Sequence, residues 1–329
     1  MLIREHAGAV ARPSLRSLLV PVIFISVGLS GCGSEAGGEG AETEGSIRAV
    51  ATTGMVADMV ARIGGDNARV TGLMGPGVDP HLYKASAGDV RTLASAAIIF
   101  YNGLHLEAAM GEVLEEMTVR MVTVPVADGI PEDSRLSSEY FAGSWDPHVW
   151  FDVGLWATAT TRVEEGFVTL DPANRAEYRE RARVFRDTLE VLDAWVRQRV
   201  SELPEERRIL VTAHDAFGYF GRAYGFEVVG LQGISTVSEA GTSDVQRIAD
   251  LVVERKVPAI FVETSVSQRT IEAVQAAVRD RGSEVRIGGS LFSDAMGSAG
   301  TPEGSYAGMV RHNVNTIVDA LLDAPEEAP

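Results

Sequence analysis

Short apolar runs and amphipathic segments alternate along most of the chain, beginning at Ile47. The apolar runs predict strands at 47–53, 68–74, 97–102, 121–126, 208–212, 227–230, 259–263 and 284–288. Segments with apolar residues every three or four positions predict helices at 55–63, 89–96, 106–119, 243–255, 268–281 and 306–322. Apolar strands that alternate with amphipathic helices are typical of mainly parallel sheets covered by helices on both faces. The predicted fold class is therefore α/β.

One segment departs from this alternation. Residues 172–203 read PANRAEYRERARVFRDTLEVLDAWVRQRVSEL and contain no glycine, and no proline after Pro172. Asp171 suits a helix N-cap, and Pro172 suits the first helical turn. A single helix of this length is about 45 Å long, which suits a link between two units, and the alternative of a two-helix hairpin lacks a turn residue. We therefore expect an N-terminal lobe at 47–170, a linking helix at 171–203 and a C-terminal lobe at 204–329, with a mainly parallel sheet in each lobe.

The first 31 residues have the features of an export signal. Three arginines precede an apolar run at 18–29, which is too short for an ordinary membrane span. The run ends in LSGC at 29–32, which resembles the lipobox of bacterial lipoproteins, so we expect Cys32 to carry a lipid that anchors an exported protein to the cell membrane, facing the periplasm or the exterior. The alternative is a plain signal peptide with an incidental cysteine. Residues 32–46 are rich in glycine, serine and glutamate and predict a flexible tether.

The net charge of the chain limits the classes of molecule that it is expected to bind. The formal net charge is −17, and removal of residues 1–31, whose three arginines and one glutamate give +2, takes it to −19. Such an acidic surface argues against nucleic-acid binding and against a broad contact with anionic lipid. It is compatible with handling cations, although most of this charge is ordinary surface solvation. Cys32 is the only cysteine, which excludes an internal disulfide.

The tripeptide Asp-Pro-His occurs twice, 67 residues apart, and carries two of the six histidines, His81 and His148. Each copy is followed by an apolar residue and then an aromatic one. Neutral imidazole is a common ligand for first-row transition metals, and a preceding proline stiffens the loop that presents it. The repeat predicts that both histidines contribute to a metal site.

Two further residues in predicted strand-closing loops can complete such a site. His214 follows the strand predicted near 208–212, and Asp294 follows the one predicted near 284–288. Loops at strand ends are where α/β sheets place their ligand-binding groups. Three imidazoles and one carboxylate suit Zn²⁺, Mn²⁺ or Fe²⁺. The alternatives are that His214 is a core histidine beside aromatic residues and that Asp294 caps a helix.

The other histidines lie in less informative contexts. His105 opens a predicted helix and is expected on the surface, whereas His312 lies inside the last helix and is expected to be structural. His6 falls in the export signal.

Six motifs together carry a family resemblance. They are LSGC at 29–32, DPHLY at 79–83, DPHVW at 146–150, TAHDAFGYF at 212–220, GLQGIST at 230–236 and LFSDAM at 291–296. Their combination resembles the zinc/manganese receptors of bacterial ABC importers, the TroA-like solute-binding lipoproteins, over residues 47–322. The resemblance implies two α/β lobes, a rigid linking helix and a divalent metal ion as cargo between the lobes. It implies ligand roles for His81, His148, His214 and Asp294.

The same resemblance implies partners and leaves the metal open. An importer of this kind has a permease and an ATPase, and we expect the receptor itself to be a monomer. Zinc-specific members often have a His-rich loop between the first two ligands, whereas residues 104–147 of this chain contain a single histidine, His105. Some manganese members have glutamate as third ligand, where this chain has His214. An extra imidazole favours zinc by ligand preference, but the cell's supply can make manganese or iron the cargo.

Two acidic residues, Asp215 and Glu263, are candidates for partners that orient the imidazoles without binding the metal themselves.

A zinc-dependent hydrolase is an alternative function, with three histidines as ligands and Asp294 as a base. No HExxH motif, nucleophile elbow or acid pair supports it. A surface adhesin is a further alternative, compatible with export but explaining none of the four candidate ligands. We therefore expect a receptor and not an enzyme.

Overall fold

The computed structural model describes residues 46–137 and 144–323. The expected export signal, Cys32 and the expected tether up to residue 45 lie outside this part of the chain. The described residues all belong to one compact unit. None of their helices is both long enough and apolar enough to cross a lipid bilayer.

The N-terminal lobe is built on a parallel sheet of four strands in the order β2-β1-β3-β4. Its elements in chain order are β1 (Ile47–Ala51), α1 (Gly54–Gly64), β2 (Ala68–Gly72), α2 (Ala87–Ser95), β3 (Ile98–Tyr101), α3 (Gly111–Arg120) and β4 (Val122–Pro125). Local signals fix the helix starts: the Thr53 side chain accepts a hydrogen bond at the start of α1, and Ser86 and Asp89 form a capping box on α2. Because the strands are parallel, the loops after them gather at one edge.

Two antiparallel helices, α4 (Val153–Leu170) and α5 (Arg175–Val200), follow this sheet. The Phe167 and Tyr178 rings stack at 5.1 Å near their connection, and Arg186 donates to Thr160 at 3.1 Å further along. The long helix α5 begins three residues later than predicted, because Pro172–Asn174 forms a 3-10 turn. It packs against α1, α4, α6 and α9 and so contacts helices of both lobes.

The C-terminal lobe contains two parallel strand pairs, β5 with β6 and β7 with β8. Strands β5 and β7 contact each other, which brings the two pairs together, and every residue of both strands is buried. The elements are β5 (Ile209–His214), α6 (Gly218–Tyr224), β6 (Glu227–Gln232), α7 (Thr242–Glu254), β7 (Ala259–Glu263), α8 (Arg269–Asp280), β8 (Arg286–Leu291) and α9 (Tyr306–Leu322).

The predicted α/β class is confirmed, and so are two lobes with parallel strands that are joined by a long helix. The lobe boundaries stay a prediction. Helices α4 and α6 are absent from the sequence-based prediction. Helix α4 is rich in valine and threonine, which have low helix propensity, but the Asp152 cap and packing against α5 make the segment helical. Strands β5 and β8 extend to His214 and Leu291, beyond their predicted ends.

Candidate metal centre

The two Asp-Pro-His tripeptides form the same local structure. The Asp79 side chain accepts a hydrogen bond from the backbone N–H of His81 at 2.8 Å. Asp146 accepts the backbone N–H of His148 in the same way at 2.9 Å. Each aspartate therefore closes a turn over its proline and fixes the backbone that carries the histidine.

His148 is held by further contacts on its ring and its neighbours. Oδ1 of Asp146 also lies 2.8 Å from Nδ1 of the His148 ring, which leaves Nε2 to face the cleft. The Tyr219 hydroxyl donates to the carbonyl of Asp146 at 3.0 Å, and the Asn102 amide donates to the carbonyl of Pro147 at 3.0 Å. These bonds fix both the ring and the loop, and they connect the loop to both lobes.

His214 is the last residue of β5 and lies beside Glu263, the last residue of β7. Nδ1 of His214 is 2.5 Å from Oε2 of Glu263, and the His214 backbone N–H donates to Oε1 at 2.9 Å. Glu263 therefore orients this imidazole, whose Nε2 lies beside the Asp294 carboxylate. Asp215 is half-buried, and its backbone N–H donates to the Gly233 carbonyl at 3.4 Å. Its role behind an imidazole stays a prediction.

Asp294 lies three residues beyond the end of β8. The preceding carbonyl, that of Ser293, accepts the indole N–H of Trp150 at 3.1 Å, and the Ser293 and Ser265 hydroxyls are 2.8 Å apart. No helix begins at Asp294, since the next helical element is the 3-10 turn Pro302–Gly304. The helix-cap alternative for Asp294 is therefore wrong.

The structure brings His81, His148, His214 and Asp294 together, with one donor atom of each within 4.8 Å of the other three. Nε2 of His81 is 3.3 Å from Nε2 of His148. The Asp294 carboxylate lies 3.2 Å from Nε2 of His214, 3.4 Å from Nε2 of His148 and 3.8 Å from Nε2 of His81. All four side chains are at most 4% exposed.

Several of these separations are close to those around a tetrahedral ion. Donor atoms about 2.0–2.2 Å from such an ion are about 3.3–3.6 Å apart. Nε2 of His214 and both carboxylate oxygens of Asp294 are buried without a hydrogen-bond partner. Buried polar atoms are normally paired, so atoms without a partner that converge on one point indicate a bound cation. The arrangement can hold a divalent ion in an environment of nitrogen and oxygen ligands.

The three imidazoles of the site differ in how strongly they hold a proton. Burial lowers the pKa of His81 to about 3, against the attraction of Asp294. Burial also opposes the charged form of His148, but Asp146 and Asp294 raise its pKa to about 9. Glu263 and Asp294 likewise outweigh burial and raise the pKa of His214 well above its usual value. Before an ion binds, protons therefore occupy part of the site.

The pKa of the Asp294 carboxyl group is shifted in the opposite direction, downwards. Burial raises the pKa of this carboxyl group, but His214 and His148 outweigh burial and hold it well below its usual value. The carboxylate is therefore ionised throughout the neutral range and offsets part of the charge of a bound ion.

Sequence reasoning missed Asp146, Asn102 and Glu107. Asp146 is part of the repeated tripeptide, and that signal could have identified it as the partner of the histidine two residues later. Glu107 is a buried carboxylate that accepts hydrogen bonds from the Thr52 hydroxyl at 2.7 Å and from the Asn102 backbone N–H at 2.8 Å. It therefore supports Asn102, whose side chain bonds to the Pro147 carbonyl. No local pattern distinguishes it from a surface glutamate.

The two other histidines in the described part of the chain lie apart from the cluster. His105 is exposed and lies in a turn with φ 66°. The His312 ring donates from Nε2 to the Ser290 carbonyl at 3.0 Å, within the packing of α9 on β8. Both positions agree with the surface and structural roles expected from the sequence.

Fold and site together define a two-lobe α/β protein with a buried centre of three histidines and one carboxylate. Residues 49–320 match the ZnuA family, described as "Zinc-uptake complex component A periplasmic", and the chain belongs to that family.

Individual relatives span nearly the whole protein. The zinc-binding protein TroA of Treponema pallidum (strain Nichols) is 52% identical over 87% of this chain and 92% of its own length. The manganese-binding lipoprotein MntA of Bacillus subtilis (strain 168) is 45% identical over 93% of this chain and 99% of its own. The solved structure of the periplasmic zinc-binding protein TroA from T. pallidum superposes with a TM-score of 0.82 at 53% identity, covering 84% of this chain and 99% of that one.

Proposed function

We propose that the protein is the extracytoplasmic receptor of a metal importer, which captures a divalent transition-metal ion and delivers it to an ABC permease driven by its ATPase. The observation that carries the proposal is the convergence of three imidazoles and one carboxylate, among which Nε2 of His214 and both oxygens of Asp294 are buried without a hydrogen-bond partner. Membership of the ZnuA family and similarity to receptors named for zinc and manganese support it.

In this proposal His81, His148, His214 and Asp294 are the ligands of the cargo ion. Four protein donors replace the water of the hydrated ion, and the ionised Asp294 offsets half of its charge. His81 and His148 belong to the N-terminal lobe, whereas His214 and Asp294 belong to the C-terminal lobe, so the ion joins the two. The long helix α5 packs on both lobes and limits their relative motion to small shifts.

The proposal includes the position of the protein in the cell. Residues 1–31 direct export, Cys32 carries the lipid anchor, and residues 32–46 tether a monomeric receptor of two lobes, 47–170 and 204–329, to the membrane. Support comes from the LSGC motif and from the relatives named as lipoproteins. Labelling with a radioactive fatty acid tests the anchor: the wild-type protein incorporates label, and Cys32→Ser does not.

The cargo is zinc or manganese, with iron as a third candidate. Three imidazole nitrogens favour Zn²⁺ over Mn²⁺, because nitrogen ligands suit zinc and affinity rises along the first-row series. The relatives do not select one metal, since TroA is named for zinc and MntA for manganese. Elemental analysis of the protein purified from its native host identifies the ion that the cell supplies.

The test of the function is metal stoichiometry. We expect the purified protein to retain about one tightly bound divalent ion per chain after gel filtration, measured by inductively coupled plasma mass spectrometry. Asp294→Ala loses the ion, because three neutral imidazoles then face the uncompensated charge of the ion. The matched control is Asp280→Ala, at the exposed end of α8, which retains the ion.

Two results would contradict the proposal. A wild-type protein that holds no divalent ion in any purification refutes a metal receptor. Metal-dependent hydrolysis that is present in the wild-type protein and lost in Asp294→Ala identifies a metalloenzyme in its place.

A further inference from the structure

The four proposed ligands differ in how firmly the surrounding structure holds them. His214 ends a buried strand, and Asp294 is 1% exposed. His81 instead lies on the segment 75–82, which contains no helix or strand and exposes Gly75, Pro76 and Gly77. Leu82, next to His81, is 51% exposed. His81 is therefore the ligand whose supporting backbone is closest to solvent.

Buried hydrogen bonds join the His148 and Asp294 loops to each other. The Trp150 indole N–H, two residues after His148, donates to the carbonyl of Ser293, immediately before Asp294. The Tyr306 hydroxyl donates to the Trp150 carbonyl at 2.7 Å, and Trp150 and Tyr306 are both fully buried. These two ligands, drawn from different lobes, are therefore held as one unit.

The segment that carries His81 has a different link to the C-terminal lobe. Oδ1 of Asp79 accepts the His81 backbone N–H, and Oδ2 of the same carboxylate accepts the Thr236 hydroxyl at 2.6 Å. Thr236 lies in the loop 233–241 between β6 and α7, beside Val237, which is 65% exposed. One half-buried carboxylate thus joins the segment of a proposed ligand to the buried Thr236 of the opposite lobe.

We propose that the Asp79–Thr236 hydrogen bond is a latch that sets the rate at which the bound ion is released, with Thr236 as a positioning residue for His81. This inference rests on the proposed function. When the bond breaks, the segment 75–82 is free to withdraw His81 from the ion, while His148, His214 and Asp294 keep their places. The ion then has three protein ligands and an open coordination position, from which it exchanges with water or with another ligand.

The experiment measures release of Zn²⁺ from the loaded protein by stopped-flow mixing with excess of a fluorescent chelator. Thr236→Val keeps the size of the side chain but removes the hydroxyl, and we expect release to be about tenfold faster, as loss of one hydrogen bond to a carboxylate implies. Thr236→Ser restores the hydroxyl and should restore slow release. The matched control is Thr188→Val on α5, which removes a hydroxyl bonded only to the Val184 carbonyl within the helix.

A second measurement separates a latch from a merely structural bond. Thr236→Val should also lower the free energy of unfolding of the metal-free protein, because it leaves a half-buried carboxylate without its hydroxyl partner. Thr160→Val on α4, which removes a buried hydroxyl that accepts from Arg186, is the control for lost stability and should leave release slow. Unchanged release in Thr236→Val overturns the latch, and so does an equal acceleration of release in Thr160→Val. A wild-type protein that retains no Zn²⁺ refutes the proposed function itself, whereas retention of Zn²⁺ with equal release rates refutes the latch alone.

Discussion

Glu263 accepts both the backbone N–H and the ring Nδ1–H of His214, at 2.9 Å and 2.5 Å. The two residues end strands that contact each other, so the packing of the two strand pairs brings them together. A single carboxylate therefore sets the position, the tautomer and the basicity of one proposed ligand. Asp146 acts in the same way on the backbone and ring of His148.

The first prediction concerns this pair. Glu263→Gln keeps the shape of the side chain but removes its charge, so Nε2 of His214 becomes a weaker donor to a cation. We expect the affinity for Zn²⁺ to fall roughly 10- to 100-fold, measured by competition with a chelator of known affinity. Glu254→Gln, at the exposed end of α7, is the control and should leave the affinity unchanged. Equal affinities in the two variants would show that Glu263 has no influence on binding.

The second prediction concerns protons. At neutral pH His148 and His214 carry protons in the metal-free protein, because neighbouring carboxylates raise their pKa values, that of His148 to about 9. His81 is already neutral, since burial lowers its pKa to about 3. An ion that binds all three rings must displace two protons, so we expect about two protons to be released per Zn²⁺ at pH 7. Calorimetry in buffers of different ionisation enthalpy measures this number.

The same pKa values give the direction of the pH dependence. The affinity for Zn²⁺ should rise with pH until His148 loses its proton, at a pKa of about 9. As the pH falls, the affinity should weaken well before pH 6, the range in which ordinary histidines protonate. A raised pKa also means that the folded metal-free protein holds these protons more tightly than the unfolded chain. That stabilisation is complete below pH 6.5 and is lost as the pH rises towards 9. Proton release near zero at pH 7 would contradict this account.

The third prediction tests the buried bond between the His148 and Asp294 loops. Trp150→Phe removes the indole N–H that bonds to the Ser293 carbonyl and leaves that carbonyl unpaired. Trp156→Phe is a matched control, because Trp156 is equally buried but its indole N–H has no hydrogen-bond partner. We expect Trp150→Phe to lower the free energy of unfolding by about 1–3 kcal/mol more than the control does, in urea titrations of the metal-free protein.

Affinity for Zn²⁺ should fall in Trp150→Phe and not in Trp156→Phe, since only the first change loosens two proposed ligands. If both variants lose the same stability and the same affinity, the bond to Ser293 does not organise the site.

Parts of the site could be predicted because they depend on local sequence. The Asp-Pro-His repeat identifies His81 and His148, and the predicted strand ends place His214 and Asp294 in strand-closing loops. The resemblance to TroA-like receptors then combined all four into one ligand set. The assignment of these residues as ligands stays a proposal, although the structure brings them together.

Other parts could not be predicted, because they depend on contacts between distant segments. The Thr236 hydroxyl meets Asp79 across 157 residues, and the Trp150 indole meets the Ser293 carbonyl across 143. Helix α4 is absent from the sequence-based prediction for a related reason: its valines and threonines have low helix propensity, and packing against α5 makes the segment helical. Sequence pattern thus predicts the elements and the ligand types, whereas tertiary packing decides which groups support them.

The last prediction concerns the choice of metal at the third proposed ligand. His214→Glu replaces a nitrogen donor by an oxygen donor, which suits Mn²⁺ better than Zn²⁺. In this protein the new carboxylate would lie against Glu263, and repulsion between the two charges would oppose binding of either metal. The double variant His214→Glu/Glu263→Gln removes that repulsion. We expect it to recover Mn²⁺ binding and to lower the ratio of Zn²⁺ to Mn²⁺ affinity by about tenfold or more relative to Glu263→Gln alone. Competition titrations with both metals measure the ratio, and an unchanged ratio would show that the donor at position 214 does not set the preference.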